Sequence, residues 1–325
     1  MKNIIIGIDV SSKTLDICVK NEKEVTYFII ENTLKEIKKF LRPFDKTKTV
    51  LAMENTGRYN WNLYDSLESF DFKVYVINPL HLSKSLGLVR GKNDKIDAYR
   101  IALYIEKNEK ETRPWKPTRK SIKKLKILIT ERTSRIKIKR VLLKQQHDYR
   151  LMKRIGLDKQ LLKLNKQMIK KIDEQIGVLE KQIELIFKEN QELKKQAELI
   201  RSVPGVGKVL TWVMIAKTEG FTKITEPRKM ACYAGVVPFE HQSGSSIFRK
   251  PKVSFYADKS IKNVLHLGAL SAIRLENELG IYYRRKVSEG KNKMSVLNAV
   301  RNKIIHRIFA VIRNQTFYQN RLVTS

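Results

Sequence analysis

Asn3-Ile-Ile-Ile-Gly-Ile-Asp-Val10, Leu15-Asp-Ile-Cys-Val19 and Val25-Thr-Tyr-Phe-Ile-Ile30 are three apolar runs of strand length that precede any helical periodicity. Short polar turns separate them, and neighbouring strands joined so tightly must run antiparallel, so the stretch predicts a three-strand meander. Outward from it the pattern alternates: helix Leu34–Leu41, strand Thr49–Met53, helix Asn60–Ser69, strand Lys73–Ile77 and helix Asp94–Glu106. A meander that feeds βα units predicts a mixed sheet with helices on its faces.

That strand order is ribonuclease-H-like, and it brings carboxylates together. Asp9 ends the first strand and Glu54 follows the strand Thr49–Met53. Parallel neighbours end at the same sheet edge, so these two acids can meet there. Asp94 and Asp97 stand three apart at the start of a helix and therefore project from one face. Four carboxylates in one place repel one another unless a hard cation compensates, which points to Mg²⁺ or Mn²⁺ and to phosphoryl transfer. Taken singly, each Asp has an ordinary role as turn former, helix cap or first-turn charge.

The 325 residues carry 66 Lys and Arg against 33 Asp and Glu, a formal charge of +33, with 42% hydrophobic residues. Such a chain builds proper cores and calls for a polyanion, nucleic acid before an anionic membrane surface. It has no apolar run of about 18 residues, so a soluble, cytoplasmic protein is expected. Cys18 and Cys232 lack metal-type spacing and suggest neither a disulfide framework nor a zinc site.

At Arg113-Pro-Trp-Lys-Pro the alternation stops, which predicts three parts: an α/β domain over 1–113, a basic helical arm over 114–200 and a mainly helical domain over 201–325. Lys116–Arg154 holds 15 basic residues and only 2 acidic ones. Ile122, Ile129, Ile136 and Leu143 form the expected packing line. Lys120, Lys123, Lys124, Lys126, Arg132, Arg135, Lys137, Lys139 and Arg140 are then expected on phosphates. In the next helix Leu162, Ile169, Ile176, Ile183 and Asn190 fall at heptad position a, and Asn165, Ile172, Leu179, Ile186 and Leu193 at d. A self-associating coiled coil and an intrachain antiparallel hairpin turning near Gly156 both satisfy this pattern. Ser202-Val-Pro-Gly-Val-Gly-Lys208 resembles a helix-hairpin-helix turn, in which Gly205, Gly207 and Lys208 would meet a phosphate. Tyr282, Tyr283, Arg284, Arg285 and Lys286, then Lys291, Lys293, Arg301, Lys303 and Arg307, are expected to extend that surface, with Leu297, Val300, Ile304, Ile305 and Ile308 as core. In Gly235–Lys250, a serine beside glycine with His241, Arg249, Lys250 and Lys252 nearby reads either as a flexible turn or as a nucleophile facing a phosphodiester.

Gly7-Ile-Asp-Val-Ser-Ser-Lys, Glu54-Asn-Thr-Gly-Arg58, Asn78-Pro-Leu-His81 and Lys92-Asn-Asp-Lys-Ile-Asp-Ala98 resemble the N-terminal DEDD domain of insertion-sequence transposases related to the pilin-gene invertases, a group of bridge-RNA-guided recombinases. Arg201-Ser-Val-Pro-Gly-Val-Gly207 and Ala234-Gly-Val-Val-Pro-Phe-Glu-His-Gln-Ser-Gly244 resemble the same group's C-terminal domain. The resemblance implies a RuvC-like fold for the first domain and a metal site formed by Asp9, Glu54, Asp94 and Asp97. It implies Ser243 as a nucleophile that forms a phosphoserine link to DNA, although here Ser245 and Ser246 also follow the glycine. It further implies donor and target DNA and a structured guide RNA as partners, in a dimer or tetramer where the acids of one subunit complete the serine site of another. Two rivals stand beside it: a structure-selective endonuclease of the resolvase type that uses water, and a non-enzymatic nucleic-acid-binding assembly protein.

Overall fold

The computed structural model describes residues 4–85, 93–243 and 247–320, with the backbone alone at 240–243 and 247–250. The chain separates into two compact units, Met1–Pro117 and Thr118–Ser325.

The first unit is the expected mixed sheet. Strands β1 (Ile4–Val10), β2 (Thr14–Asn21) and β3 (Val25–Glu31) lead through helix α1 (Leu34–Leu41) to β4 (Thr49–Glu54). Helix α2 (Trp61–Leu67), β5 (Lys73–Ile77), α3 (Pro79–Ser85) and α4 (Asp94–Asn108) follow. The strand order is β3-β2-β1-β4-β5; β1, β2 and β3 pair antiparallel, while β4 runs parallel to both β1 and β5. Alternation along the strands sends Ile6, Ile8, Leu51 and Met53 to one face, where Ile37 and Leu41 of α1 and Leu63 and Leu67 of α2 cover them. On the other face Val50, Ala52, Tyr75 and Ile77 pack against Ile101 and Ile105 of α4. Trp115 stacks on Tyr64 at 5.1 Å and its N–H donates to Val74 O at 2.7 Å, so the chain stays with this unit past Arg113.

One glycine sets the spacing between sheet and helix. A Cβ on Gly7 would stand 2.2 Å from Ala98 O and 2.6 Å from Ala102 N, so α4 crosses β1 where β1 has no side chain. This contact fixes the first turn of α4, which begins one turn before Ala98, over the end of β1.

The second unit opens with the long helices α5 (Lys120–Leu151) and α6 (Asp158–Glu189), then α7 (Gln191–Arg201), α8 (Lys208–Thr218) and α9 (Pro227–Tyr233). Strands β6 (Pro238–Ser243) and β7 (Ile247–Val253) form an antiparallel pair, followed by α10 (Lys259–Ala272), α11 (Glu278–Ser288) and α12 (Lys293–Asn314). Helices α5 and α6 form an intrachain hairpin that turns through Lys153–Ile155 and Gly156 at φ +77°, and Asn165 Nδ2 donates to Leu142 O at 3.2 Å. Their bases join the core of the C-terminal helices: Ile122, Leu125, Ile183 and Phe187 belong to the cluster that contains Leu210, Leu265, Val300 and Ile304.

Two sequence expectations need correction here. The heptad does not run through Asn190: α6 ends at Glu189, and Asn190 is extended (φ −122°, ψ 103°) and caps α7 by accepting from Leu193 N. Leu143 is 47% exposed, and Leu142 takes the inward place, because straight helices of 3.6 residues per turn drift from a strict seven-residue line. Among the described residues no helix is long and apolar enough to cross a membrane.

Candidate active site

The acids meet at the carboxyl edge of the parallel strands. Parallel register places Ile8 beside Met53, so Asp9 and Glu54 occupy the next step on neighbouring strands. Asn60, fully buried, fixes the chain beyond Glu54: its Nδ2 donates to Glu54 O at 2.9 Å and its Oδ1 accepts from Thr56 N at 2.9 Å. Helix α4 starts where Asn93 caps it, accepting from Lys95 N at 3.1 Å, which leaves Asp94 and Asp97 in the first turn.

Asp9, Asp94 and Asp97 each offer a carboxylate oxygen, and the three atoms lie within 4.8 Å of one another. Glu54 stands outside that trio, yet its charge acts on Asp9. Burial, then the charges of Asp97, Asp94 and Glu54, push the Asp9 carboxyl up to about 6. The compensation inside the group is partial, since Arg100 Nη1 pairs with Asp97 at 2.9 Å. Hard oxygen donors this close, one of them desolvated, fit a divalent cation.

Asn60 and Arg100 were not legible as site residues, although Arg100 stands three after Asp97, at ion-pair spacing. Asp16 was missed as well. It is the register partner of Asp9 on β2, is 8% exposed, and has its carboxyl raised by burial and by Asp94.

The serine segment is described in part. Ser243 is the last residue of β6 and pairs with Ile247, and Arg249 and Lys250 lie in β7. The side chains of His241, Ser243, Arg249 and Lys250 lie outside the described residues, as do Ser245, Ser246 and Lys92. Lys252 is exposed on β7.

The nominated cations divide. Lys126 pairs with Glu219 at 2.7 Å, Arg132 with Glu180 at 2.7 Å and Lys139 with Asp173 at 2.6 Å, and Arg135 pairs with Glu131. Arg132 and Lys139 thus lie in the α5–α6 seam rather than on a free face, and Lys123 also has a partner. Lys120, Lys124, Lys137 and Arg140 are exposed without an ion pair among the described residues. In the turn between α7 and α8, Gly205 (φ +79°) serves packing, because a Cβ there would meet Gly268 O of α10 at 2.2 Å. Gly207 is extended before α8 with open space beside it, and Lys208 is largely exposed near Glu184, at 3.4 Å.

Comparison with known proteins supplies the family. The pilin gene-inverting protein of Moraxella bovis is 27% identical over 333 residues, covering 99% of each chain. An uncharacterized 43.6 kDa protein of insertion element IS110 from Streptomyces coelicolor is 27% identical over 124 residues, 38% of this chain and 30% of that one. Among solved structures, T. thermophilus RuvC in complex with a Holliday junction substrate aligns at TM-score 0.26 and 13% identity, over 34% of this chain and 99% of that one. Residues 6–151 match the DEDD transposase family of the IS110 type, and residues 197–284 match the transposase family described as IS116/IS110/IS902. With both matches in order along the chain, the protein belongs to the IS110 family of transposases.

Proposed function

We propose that this transposase cuts and rejoins DNA strands as an insertion sequence moves, with Asp9, Glu54, Asp94 and Asp97 as a divalent-metal site and Ser243 as the nucleophile. The observation that carries the reading is the closure of three carboxylates within 4.8 Å around a desolvated Asp9 at the sheet edge. Mg²⁺ or Mn²⁺ bound there would supply positive charge for the attacking and leaving oxygens of a phosphodiester. The acids that would hold it are themselves fixed in place: the chain at Glu54 by the Asn60 clamp, and Asp94 and Asp97 by the α4–Gly7 contact.

In the serine step the Oγ of Ser243 forms a bond to phosphorus, the bond from phosphorus to the leaving strand's oxygen breaks, and the hydroxyl proton passes, directly or through solvent, to that oxygen. One ester replaces another, so rejoining by the reverse exchange needs no outside energy source. Support for Ser243 comes from the Ala234–Gly244 motif, and support for an invertase-like exchange from the full-length likeness to a protein named for inverting a pilin gene. The proposal includes a structured guide RNA and an oligomer with shared sites, which the motif resemblance implies, and the charge of +33 suits so large a polyanion.

One experiment tests both halves. Purified protein with its element DNA and transcribed flanking RNA should cleave in Mg²⁺ and leave a covalent protein–DNA adduct that maps to Ser243. Asp94→Asn should abolish cleavage while its melting temperature stays within a few degrees of wild type. Unchanged cleavage by that variant overturns the metal site. Cleavage without any adduct overturns the serine and leaves hydrolysis by water, and an adduct at Ser245 or Ser246 moves the nucleophile.

A further inference from the structure

Arg301 was expected on a nucleic-acid surface, but it is 5% exposed on α12. Its Nη2 lies 2.6 Å from His266 Nδ1 and its Nη1 donates to Asn298 Oδ1 at 3.2 Å, while Nε is buried without a partner. Among the described residues no carboxylate pairs with it. A buried guanidinium normally carries a counter-charge, because desolvating a lone cation is costly.

Lys262 adds positive charge instead of removing it, and His266 brings no counter-charge. Lys262 and His266 stand one turn apart on the same face of α10, both half-buried, and burial together with the charge of Arg301 lowers the pKa of each. Guanidinium has donors only, so His266 Nδ1 must accept, which leaves the proton of the neutral ring on Nε2 as a further donor. Asp258, which caps α10, is engaged by Lys217 at 2.7 Å.

The place of this cluster in the fold is specific. Asn298, which holds Arg301, also donates through Nδ2 to Val236 O at 2.7 Å, two residues before β6. Gly235 packs on Ala257, where a Cβ would come within 2.5 Å of the Ala257 side chain and 4.0 Å of Lys262 Cδ. The two feet of the β6–β7 hairpin therefore meet each other beside Lys262.

We propose that Arg301, Lys262 and His266 form an anion site that holds a backbone phosphate of DNA at the feet of the β6–β7 hairpin. Arg301 is the buried floor, and Lys262 with His266 Nε2 is the open side from which the phosphate enters. The inference rests on the reading that this chain acts on DNA, and it places a phosphate contact outside both the acidic cluster and the basic arm.

The test uses the full chain without divalent metal and a fluorescein-labelled DNA duplex, read by anisotropy across a range of KCl concentrations. Lys262→Gln and Arg301→Gln should each weaken binding about tenfold and flatten the plot of log affinity against log salt by about 0.9, the share of one neutralised phosphate. A merely structural arginine would lower the melting temperature of Arg301→Gln and leave the slope of the folded fraction at the wild-type value, which overturns the site. Should Arg301→Gln fail to fold, Lys262→Gln decides alone, since Lys262 is half-buried and its side chain makes no hydrogen bond among the described residues. A slope change seen with an RNA duplex and absent with DNA overturns the assignment to DNA. Failure of wild type to bind DNA overturns this site and the proposed function together. Loss of cleavage in Asp94→Asn beside an unchanged slope in Lys262→Gln overturns this site alone.

Discussion

Asp9 is pulled in two directions by its position. It ends a buried strand, which disfavours its charge, and it faces three other acids, which disfavour it again. The folded carboxyl titrates at about 6 against an ordinary 3.8, so the fold binds the extra proton between those values. Stability therefore rises as pH falls from 6 toward 4, and above about 6 the metal-free fold carries the whole repulsion. Asp9→Asn should accordingly raise the melting temperature of metal-free protein at pH near 8, and the gain should shrink at pH near 5; differential scanning fluorimetry at the two pH values checks it. An equal gain at both pH values would place the effect elsewhere than in charge. In the sequence Asp9 taken singly reads as an ordinary turn former, and it stands out only jointly with Glu54, Asp94 and Asp97. Asp16 escaped because its partnership with Asp9 exists only across the β1–β2 register.

At the scale of elements, the meander and its βα units were readable because alternation of apolar and polar residues belongs to each strand alone. The hairpin of α5 and α6 was one of two readings that the heptad allowed, and its details depend on pairs far apart in the chain. Arg132 meets Glu180 and Lys139 meets Asp173, separations of 48 and 34 residues that no local pattern encodes. The end of α6 was misplaced for a similar reason: Asn190 suits a polar heptad position and a helix cap equally, and the cap wins because its side chain satisfies Leu193 N. Asn190→Ala should then cost about 1 kcal/mol, as the removal of a cap does, with no change in oligomeric state. Urea denaturation with light scattering tests this, and a changed oligomer at constant stability would restore the coiled-coil role.

For the whole molecule, a charge of +33 is a standing self-repulsion that nucleic acid relieves. The cations nonetheless play different parts. Replacing Lys120, Lys124, Lys137 and Arg140 with Gln together should lower the salt dependence of duplex binding by about 0.9 for every phosphate no longer neutralised and leave stability unchanged. Replacing Lys139, which is tied to Asp173, should instead loosen the α5–α6 seam and affect the melting temperature more than the slope. Anisotropy titrations and thermal melts on the same preparations separate the two outcomes.

The contact of α4 with Gly7 has a bearing on when this protein becomes dangerous to a chromosome. Asp9 and Glu54 are in place once the sheet forms, but Asp94 and Asp97 arrive only when α4 settles against a strand that lacks a side chain at the crossing. A ribosome-bound or prematurely ended chain that stops short of residue 94 carries half of the acids and no cluster. On the proposed function, cutting capacity is thereby withheld from such incomplete chains, which also lack the helix that covers one face of the sheet.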